Sequence, residues 1–187
     1  MLALREIRED EYAAVYAHMK RDFPAGEIAP YFAIRENLED RTYEGFYLTE
    51  DTDIGYALIT APENIEYALI NYLAIFPQFR EKGYGSGFLK ILLERYGSRI
   101  IFLETEDPKA LKRPERVEIA ERRIRFYQRA GFHIVPTSRA RIFGFDMLIM
   151  ASKNDRNLSA RKAMHALYLP SLGSRHYLHF IDVKDKG

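Results

Sequence analysis

Residues 73–89 read LAIFPQFREKGYGSGFL, and this stretch decides the fold. It starts in an apolar strand pattern, and three glycines follow at every second position, Gly83, Gly85 and Gly87. Glycine destabilises a helix by about 1 kcal/mol relative to alanine, so three of them before an apolar helical pattern need a physical reason. The N-terminus of a helix presents N–H groups to anions, and glycines let a ligand approach the main chain. The stretch therefore predicts a strand, an anion-binding turn and a helix.

Apolar patterns on both sides of this turn predict the remaining elements. A central strand at 66–76 is apolar on both faces, and the helix after the glycines extends to Gly97. The other predicted elements are a strand at 2–7, helices at 8–23 and 30–38, a hairpin over 43–62, a strand at 99–104, a helix at 114–131, strands at 132–135 and 143–152, and a short helix near 157–168. This order predicts an α/β fold built on a mixed sheet.

Size, charge and composition limit the classes of function. The 187 residues fit one domain, and 28 basic against 27 acidic residues leave a net charge of +1, so no overall field favours nucleic acid or a membrane surface as a partner. The absence of cysteine excludes disulfides and thiolate metal sites, and the five histidines form no metal-binding pattern. No apolar stretch approaches the ~18 residues of a membrane span. We therefore expect a cytoplasmic protein without a metal.

Two other phosphate-binding motifs can be compared with the glycine stretch by their spacing. A P-loop needs four residues between its glycines, followed by Gly-Lys-Ser/Thr, and the stretch lacks this pattern. A dinucleotide-binding fingerprint needs a third glycine where Phe88 stands, and residues 77–82 make the link from the strand too long. Glu104 nevertheless lies 19 residues after Gly85, like an acid that binds a ribose, so this alternative stays open. A purely structural turn also stays open.

Two segments together resemble the motifs of the GNAT N-acetyltransferase superfamily. The family's Arg/Gln-x-x-Gly-x-Gly/Ala pattern is matched by Arg80, Gly83 and Gly85. Its Phe-Tyr-x-x-x-Gly-Phe segment is similar to RFYQRAGFHIV, with matches at Phe126, Tyr127, Gly131 and Phe132. The resemblance implies a single GNAT-like domain over residues 1–151, with a mixed central sheet of about six to seven strands and helices on both faces. Residues 152–187 would then be a C-terminal extension that packs on the domain or on a partner subunit of a homodimer.

The resemblance also implies acetyl-CoA as the acetyl donor, and it implies positions for the cofactor. In this family the pantetheine arm hydrogen-bonds to the main chain of the central strand, which corresponds here to Leu73, Ala74 and Ile75. The pyrophosphate would bind the N–H groups of the glycine turn, and two basic side chains would add charge at its rim. The implied residues of this turn are Arg80, Glu81, Lys82, Gly83, Tyr84, Gly85, Ser86 and Gly87.

Acetyl transfer to an amine needs a base and an acid, and the resemblance suggests one residue for each. An amine of pKa near 10 must lose a proton before it attacks, and Glu104 matches the strand-end glutamate that serves as the base in some members. Glu106 and Asp107 are rivals for this role. Tyr127 matches the tyrosine that protonates the departing thiolate. Many relatives have a cofactor-binding asparagine where this chain has Ala120.

The acceptor is the least defined part of the prediction. In this fold the acceptor pocket includes the loop between the first two helices, where Glu27 would hold a cationic amine and Tyr31 and Phe32 would form a wall. The two aromatic residues are equally compatible with a place in the core. The function implied is transfer of an acetyl group from acetyl-CoA directly to a primary amine. The alternative is a non-catalytic sensor that binds acyl-CoA on the same fold.

Overall fold

The computed structural model describes residues 1–155 and 157–186. The chain divides into two compact units. Unit one comprises Met1–Ala61 and Ile70–Arg95, and unit two comprises Pro62–Leu69 and the described chain from Tyr96 onward. The central strand contributes its first residues to unit two and its later residues to unit one.

Unit one contains four strands and three helices among its described residues. They are β1 (Ala3–Glu6), α1 (Tyr12–Asp22), α2 (Tyr31–Glu39), β2 (Tyr43–Thr49), β3 (Asp53–Thr60), the later part of β4 (Tyr67–Ile75) and α3 (Tyr84–Arg95). Strand β2 is antiparallel to both β1 and β3, and β3 is hydrogen-bonded to β4. Val15 and Met19 of α1, one helical turn apart, are fully buried with Ile34 of α2. This apolar stripe packs against the sheet residues Tyr56 and Leu58.

Unit two contains the rest of the sheet. Its elements are the start of β4, β5 (Ile100–Glu106), α4 (Pro114–Arg129), β6 (His133–Ile134), β7 (Thr137–Ile142), β8 (Phe145–Ala151), α5 (Ala160–Phe180) and β9 (Ile181–Asp185). The ladder between β4 and β5 is parallel and runs from Tyr67↔Ile100 to Leu69↔Phe102. Strand β8 is antiparallel to β5, β6 and β7, and β7 is antiparallel to β9. The sheet is therefore mixed, as predicted.

Helix α5 supplies one side of the core of unit two. Its buried residues recur at spacings of three and four and so form one face of the helix. They are Ala160, Ala163, Met164, Leu167 and Tyr168. They pack with Phe102 of β5 and Ile149 of β8. The start of α5 is capped from β9, because Asp185 accepts hydrogen bonds from the Ser159 hydroxyl at 2.7 Å and from the Arg161 N–H at 3.1 Å.

The structure corrects the sequence prediction at two places in unit two. Nine strands are present in the described chain, against the predicted six to seven, because β7 and β9 were not predicted. The helix predicted near 157–168 extends from Ala160 to Phe180 and contains Pro170, with a break at Gly173 where φ is 67°. The non-helical backbone at Gly173 makes this segment two helices joined by a kink, as expected where proline and glycine stand close together.

Candidate active site

The turn between β4 and α3 concentrates main-chain N–H groups. Glu81 and Gly83 both adopt left-handed φ angles, of 64° and 83°, and turns that contain left-handed residues are a common way to present successive N–H groups to an anion. The first bond at the start of α3 runs from the Gly87 N–H to the Gly83 carbonyl at 3.1 Å. The N–H groups of residues 84–86 precede that bond and have no acceptor within the helix. The turn thus has the geometry of an anion-binding site.

The glycines of this turn are required for different reasons. A Cβ added to Gly83 would meet no heavy atom within 4 Å, so the surface is open there, and its φ of +83° strains any other residue. A Cβ on Gly87 would lie 2.8 Å from the Leu2 Cδ1. Gly87 therefore also serves the packing of α3 against the N-terminal segment, a reason that the sequence interpretation did not include.

Arg80 links the glycine turn to β4 and α1 through a hydrogen bond and an ion pair. Its Nε donates to the Ile75 carbonyl at 2.8 Å, and its Nη2 lies 2.6 Å from the Asp22 Oδ1. The other oxygen of Asp22 accepts from the Tyr56 hydroxyl at 3.1 Å, and this carboxylate is almost entirely buried. The Arg80 charge is thus paired with a carboxylate at the end of α1, and the guanidinium joins α1, β4 and the turn. Lys82 donates to the Gln78 carbonyl at 2.9 Å.

The predicted pantetheine-binding residues lie at the end of β4. Ala74 is buried, whereas Leu73 and Ile75 are half-buried. Gly55 of β3 lies so close to this strand that an added Cβ would collide with the Ala74 carbonyl. The Phe76 N–H donates to the Ile54 carbonyl at 2.9 Å, which holds the end of β4 against β3.

The three predicted acceptor residues lie in the loop after α1 and in the first turn of α2. Glu27 is half-buried, and its carbonyl accepts from the Tyr72 hydroxyl at 3.2 Å. Tyr31 and Phe32 begin α2 with exposed fractions of 36% and 71%, so Phe32 is not a core residue. The Tyr31 ring lies 5.1 Å from the ring of Tyr16. The aromatic pair is thus available at the surface of unit one.

Glu104 has the properties of a proton acceptor near neutral pH. Its Oε2 accepts a hydrogen bond from the Tyr168 hydroxyl at 2.9 Å. Its Oε1 is shielded from solvent and has no hydrogen-bond partner in the described chain. Burial raises the pKa of Glu104 to about 7, and the bond from Tyr168 opposes that rise. Around pH 7 this carboxyl can therefore hold or release a proton.

Glu106 and Asp107, the other two candidates for the base, both interact with neighbouring groups. The Glu106 carboxylate forms a short ion pair with Arg116, and its residue is buried. Asp107 accepts from the Lys109 N–H at 2.9 Å and caps the turn that follows β5. Of the three acidic side chains, Glu104 is the one with a shielded oxygen that lacks a partner.

Tyr127 lies near the C-terminal end of α4. Its ring centroid is 5.3 Å from that of Phe126 and 6.3 Å from that of Phe132, and the Phe132 N–H donates to the Tyr127 carbonyl at 3.0 Å. Burial raises the pKa of the Tyr127 phenol, so the hydroxyl stays protonated at neutral pH, as a proton donor must. Ala120, about two helical turns earlier in α4, is fully buried.

Sequence reasoning missed two residues that support these groups. Asp22 lies 58 residues before Arg80, and Tyr168 lies 64 residues after Glu104. No local motif joins residues at such separations. The helical spacing of Tyr168 with Met164 does indicate a buried face, but spacing alone does not identify what that face covers.

The family model described as the Acetyltransferase (GNAT) family matches residues 12–132. The mixed α/β sheet, with a glycine turn between its central strand and the next helix, agrees with that match. The chain belongs to the GNAT acetyltransferase family, and the predicted fold class is confirmed. No significant match is found among the curated proteins.

Solved structures resemble this chain over most of its length. A protein of Bacteroides thetaiotaomicron described as a GNAT-family acetyltransferase is 25% identical, with a TM-score of 0.72 over 89% of this chain and 96% of its own. The ribosomal-protein-S18-alanine N-acetyltransferase of Escherichia coli is 22% identical, with a TM-score of 0.60 over 85% and 99%. A spermidine N-acetyltransferase of Vibrio cholerae is 14% identical, with a TM-score of 0.59 over 80% and 92%. The last two likenesses concern the fold alone.

In residues 1–155 and 157–186, no group of three or more His, Asp or Glu side chains is arranged to hold a metal ion. Over the same residues, none of the helices combines the length and the apolarity that crossing a membrane requires.

Proposed function

We propose that this protein is an acetyl-CoA-dependent N-acetyltransferase that transfers the acetyl group directly to a primary amine in a ternary complex. The observation that carries this proposal is the Glu104 carboxyl, with one oxygen held by Tyr168, the other without a partner among the described residues, and a pKa of about 7. A base of that pKa, placed in β5 two residues before the end of the strand in a GNAT fold, suits the removal of a proton from an ammonium group.

The proposed mechanism assigns one proton transfer to each of two residues. Glu104 accepts a proton from the amine, either directly or through water, so that the neutral nitrogen attacks the acetyl carbonyl. Tyr127 donates its phenolic proton to the sulfur as the carbon–sulfur bond breaks. The nitrogen loses its second proton as the amide forms, and this proton returns through solvent to the tyrosinate, while Glu104 releases its own proton to solvent. Acetyl-CoA supplies the acetyl group as a thioester, and the products are an amide and the free thiol of CoA.

The proposed binding site for acetyl-CoA uses main-chain groups. The N–H groups from Glu81 to Gly87 would hold the pyrophosphate, and the open surface at Gly83 fits a group that approaches the main chain closely. Arg80 would fix the turn through Asp22 and Ile75 rather than act as a free charge. Leu73, Ala74 and Ile75 would bind the pantetheine arm.

We propose Glu27, Tyr31 and Phe32 as acceptor-binding residues. Two exposed aromatic side chains and a half-buried acidic residue in one short segment of unit one suit a cationic amine with an apolar portion. The proteins named above act on an alanine of ribosomal protein S18 and on spermidine, and both acceptors are amines. A homodimer stays a prediction.

The proposed function is tested by release of CoA thiol. The protein is mixed with acetyl-CoA and a panel of primary amines, and we expect release that depends on the amine, with a product heavier by one acetyl group. Acetyl-CoA should also raise the melting temperature, whereas equal concentrations of NAD or ATP should not, because a ligand of the folded state stabilises it by mass action.

Other outcomes would favour the alternatives. Binding of acetyl-CoA without thiol release above the hydrolysis blank, for every amine tested, would favour the non-catalytic sensor. An equal rise of the melting temperature with NAD would favour the dinucleotide interpretation of the glycine turn.

Gly83→Ala should weaken acetyl-CoA binding about tenfold or more, because a side chain disfavours the left-handed backbone that directs the N–H groups. Gly144→Ala is the matched control, since Gly144 has a φ of +87° and an added Cβ there also meets nothing within 4 Å. Both variants should lose about 1–2 kcal/mol of stability. Calorimetric titration with acetyl-CoA measures the affinity. Equal affinities in the two variants would contradict the proposed pyrophosphate site.

A further inference from the structure

Tyr168 links the C-terminal helix to the candidate base. It lies in α5, beyond residues 12–132, which the family model covers. Its side chain is buried, with 6% of the residue exposed, and its ring packs at right angles to Phe143 with centroids 5.9 Å apart. Its hydroxyl donates to the Glu104 Oε2 at 2.9 Å. The bond joins α5 to β5 across 64 residues of sequence.

The bond leaves the two oxygens of Glu104 in different states. Oε2 is occupied by Tyr168, whereas Oε1 is shielded and lacks a partner in the described chain. A buried carboxylate usually satisfies both oxygens, so an oxygen left without a donor is unusual and calls for a reason. A carboxylate held at one oxygen has a fixed orientation, and the other oxygen can then take a proton from a bound group.

Tyr168 is the main polar contact of the Glu104 carboxyl. In the register between β5 and β8, Glu104 lies opposite Ile149, which is apolar and fully buried. On β5 itself, Glu106 points to the same side by strand alternation but is paired with Arg116 of α4. From α5 the titratable group in contact with the carboxyl is Tyr168.

We propose that Tyr168 is a positioning residue for Glu104, so that α5 completes the catalytic site through the hydroxyl of this tyrosine. This inference rests on the proposed function, in which Glu104 is the base. A hydroxyl donor favours the ionised carboxylate and thus offsets part of the effect of burial, which keeps the base active near neutral pH.

The test compares Tyr168→Phe with Tyr177→Phe. Each variant loses one hydroxyl from a buried tyrosine of α5, but Tyr177 packs against His165, with ring centroids 4.9 Å apart, rather than against Glu104. Carbon-13 NMR of labelled glutamate side chains follows the ionisation of Glu104 directly, and a Glu104→Gln spectrum assigns the signal. The pH dependence of kcat/KM is measured with an amine that the wild-type protein acetylates.

In Tyr168→Phe we expect the Glu104 titration to move to higher pH by about one unit, because the carboxylate loses a donor. The rising limb of kcat/KM should move by the same amount. At pH 7 the value should fall about three- to tenfold, and most of the loss should disappear at pH 9, where the carboxyl is ionised again. Tyr177→Phe should leave both profiles unchanged.

Three outcomes would overturn the inference. They are an unchanged Glu104 titration in Tyr168→Phe, an equal shift in Tyr177→Phe, and a shifted titration with an unchanged kinetic profile. Failure of the proposed function has a different signature, because a wild-type protein that binds acetyl-CoA but acetylates no amine would fail before any variant is compared. In that case the NMR titration still tests whether Tyr168 sets the ionisation of Glu104, and an unchanged titration still rejects the inference.

Discussion

Tyr127→Phe is expected to lower kcat by about 10²-fold, which corresponds to about 3 kcal/mol in the activation barrier. The substitution keeps the ring and its contacts with Phe126 and Phe132, and it removes only the hydroxyl that would protonate the thiolate. Affinity for acetyl-CoA should change little, because main-chain groups of another segment are proposed to bind the cofactor. Steady-state kinetics at saturating acetyl-CoA and a calorimetric titration measure the two quantities.

A packing role for Tyr127 predicts a different result. Loss of a hydroxyl from a merely structural tyrosine should cost about 1 kcal/mol of stability and leave turnover almost normal. Tyr67→Phe is a suitable control, since Tyr67 is a half-buried tyrosine of the same unit whose ring packs edge-on against Phe102 at 5.6 Å. Wild-type kcat for Tyr127→Phe from pH 6 to 9 would remove this residue from the mechanism.

Glu104→Gln should have two opposite effects, a loss of activity and a gain of stability. Near pH 7, kcat/KM should fall by about 10² to 10³, because the amide cannot take a proton from the amine. At pH 8 the variant should be more stable than the wild-type protein, by on the order of 3 kcal/mol, because it no longer buries an ionised carboxylate. Residues that lower stability but raise activity are typical of functional sites.

The direction of the stability effect follows from the two pKa values of Glu104. Its pKa is about 7 in the folded protein and 4.5 ordinarily, so the unfolded chain ionises first as the pH rises. The wild-type protein therefore loses stability between about pH 4.5 and 7 relative to the glutamine variant. Denaturant unfolding at pH 5 and pH 8 measures this, and the difference should shrink to about 1 kcal/mol or less at pH 5.

Glu94→Gln is the control for this pair of measurements. The Glu94 side chain is 66% exposed on α3, and its removal should change neither turnover nor the pH dependence of stability. Equal stability of Glu104→Gln and the wild-type protein at pH 8 would contradict the proposal that burial raises the pKa of Glu104 to about 7.

The strand, turn and helix around Gly83 could be predicted from the sequence because their signals are local. Alternating glycines before an apolar helical pattern specify where the helix starts, and α3 does begin at Tyr84. Glu104 could be placed in a strand for the same reason, although β5 continues two residues beyond the predicted end, to Glu106. Its ionisation near pH 7 could not be predicted, because burial of the carboxyl depends on α5, which is far away in sequence.

The parts that were missed depend on tertiary contacts. Strand β7 alternates Arg139 and Arg141 with the buried residues Ala140 and Ile142, but this pattern is short, and the segment becomes a strand because β8 and β9 pair with it. The Arg139 Nε of β7 lies 2.8 Å from the Asp182 Oδ2 of β9, and the local sequence around either residue does not predict this contact. The ion pair of Asp22 with Arg80 is likewise a contact between residues that are far apart in sequence.

Asp185 connects three parts of unit two, since it ends β9, pairs in register with Thr137 and caps the start of α5 through Ser159. During synthesis on the ribosome, β7 therefore emerges well before the strand that fixes both elements, and α5 emerges directly before it. Non-local contacts of this kind slow folding and leave apolar faces exposed for longer. We therefore expect the nascent chain to bind chaperones until residue 185 has left the exit tunnel, and a ribosome stalled before that point to present a segment that proteases cut readily.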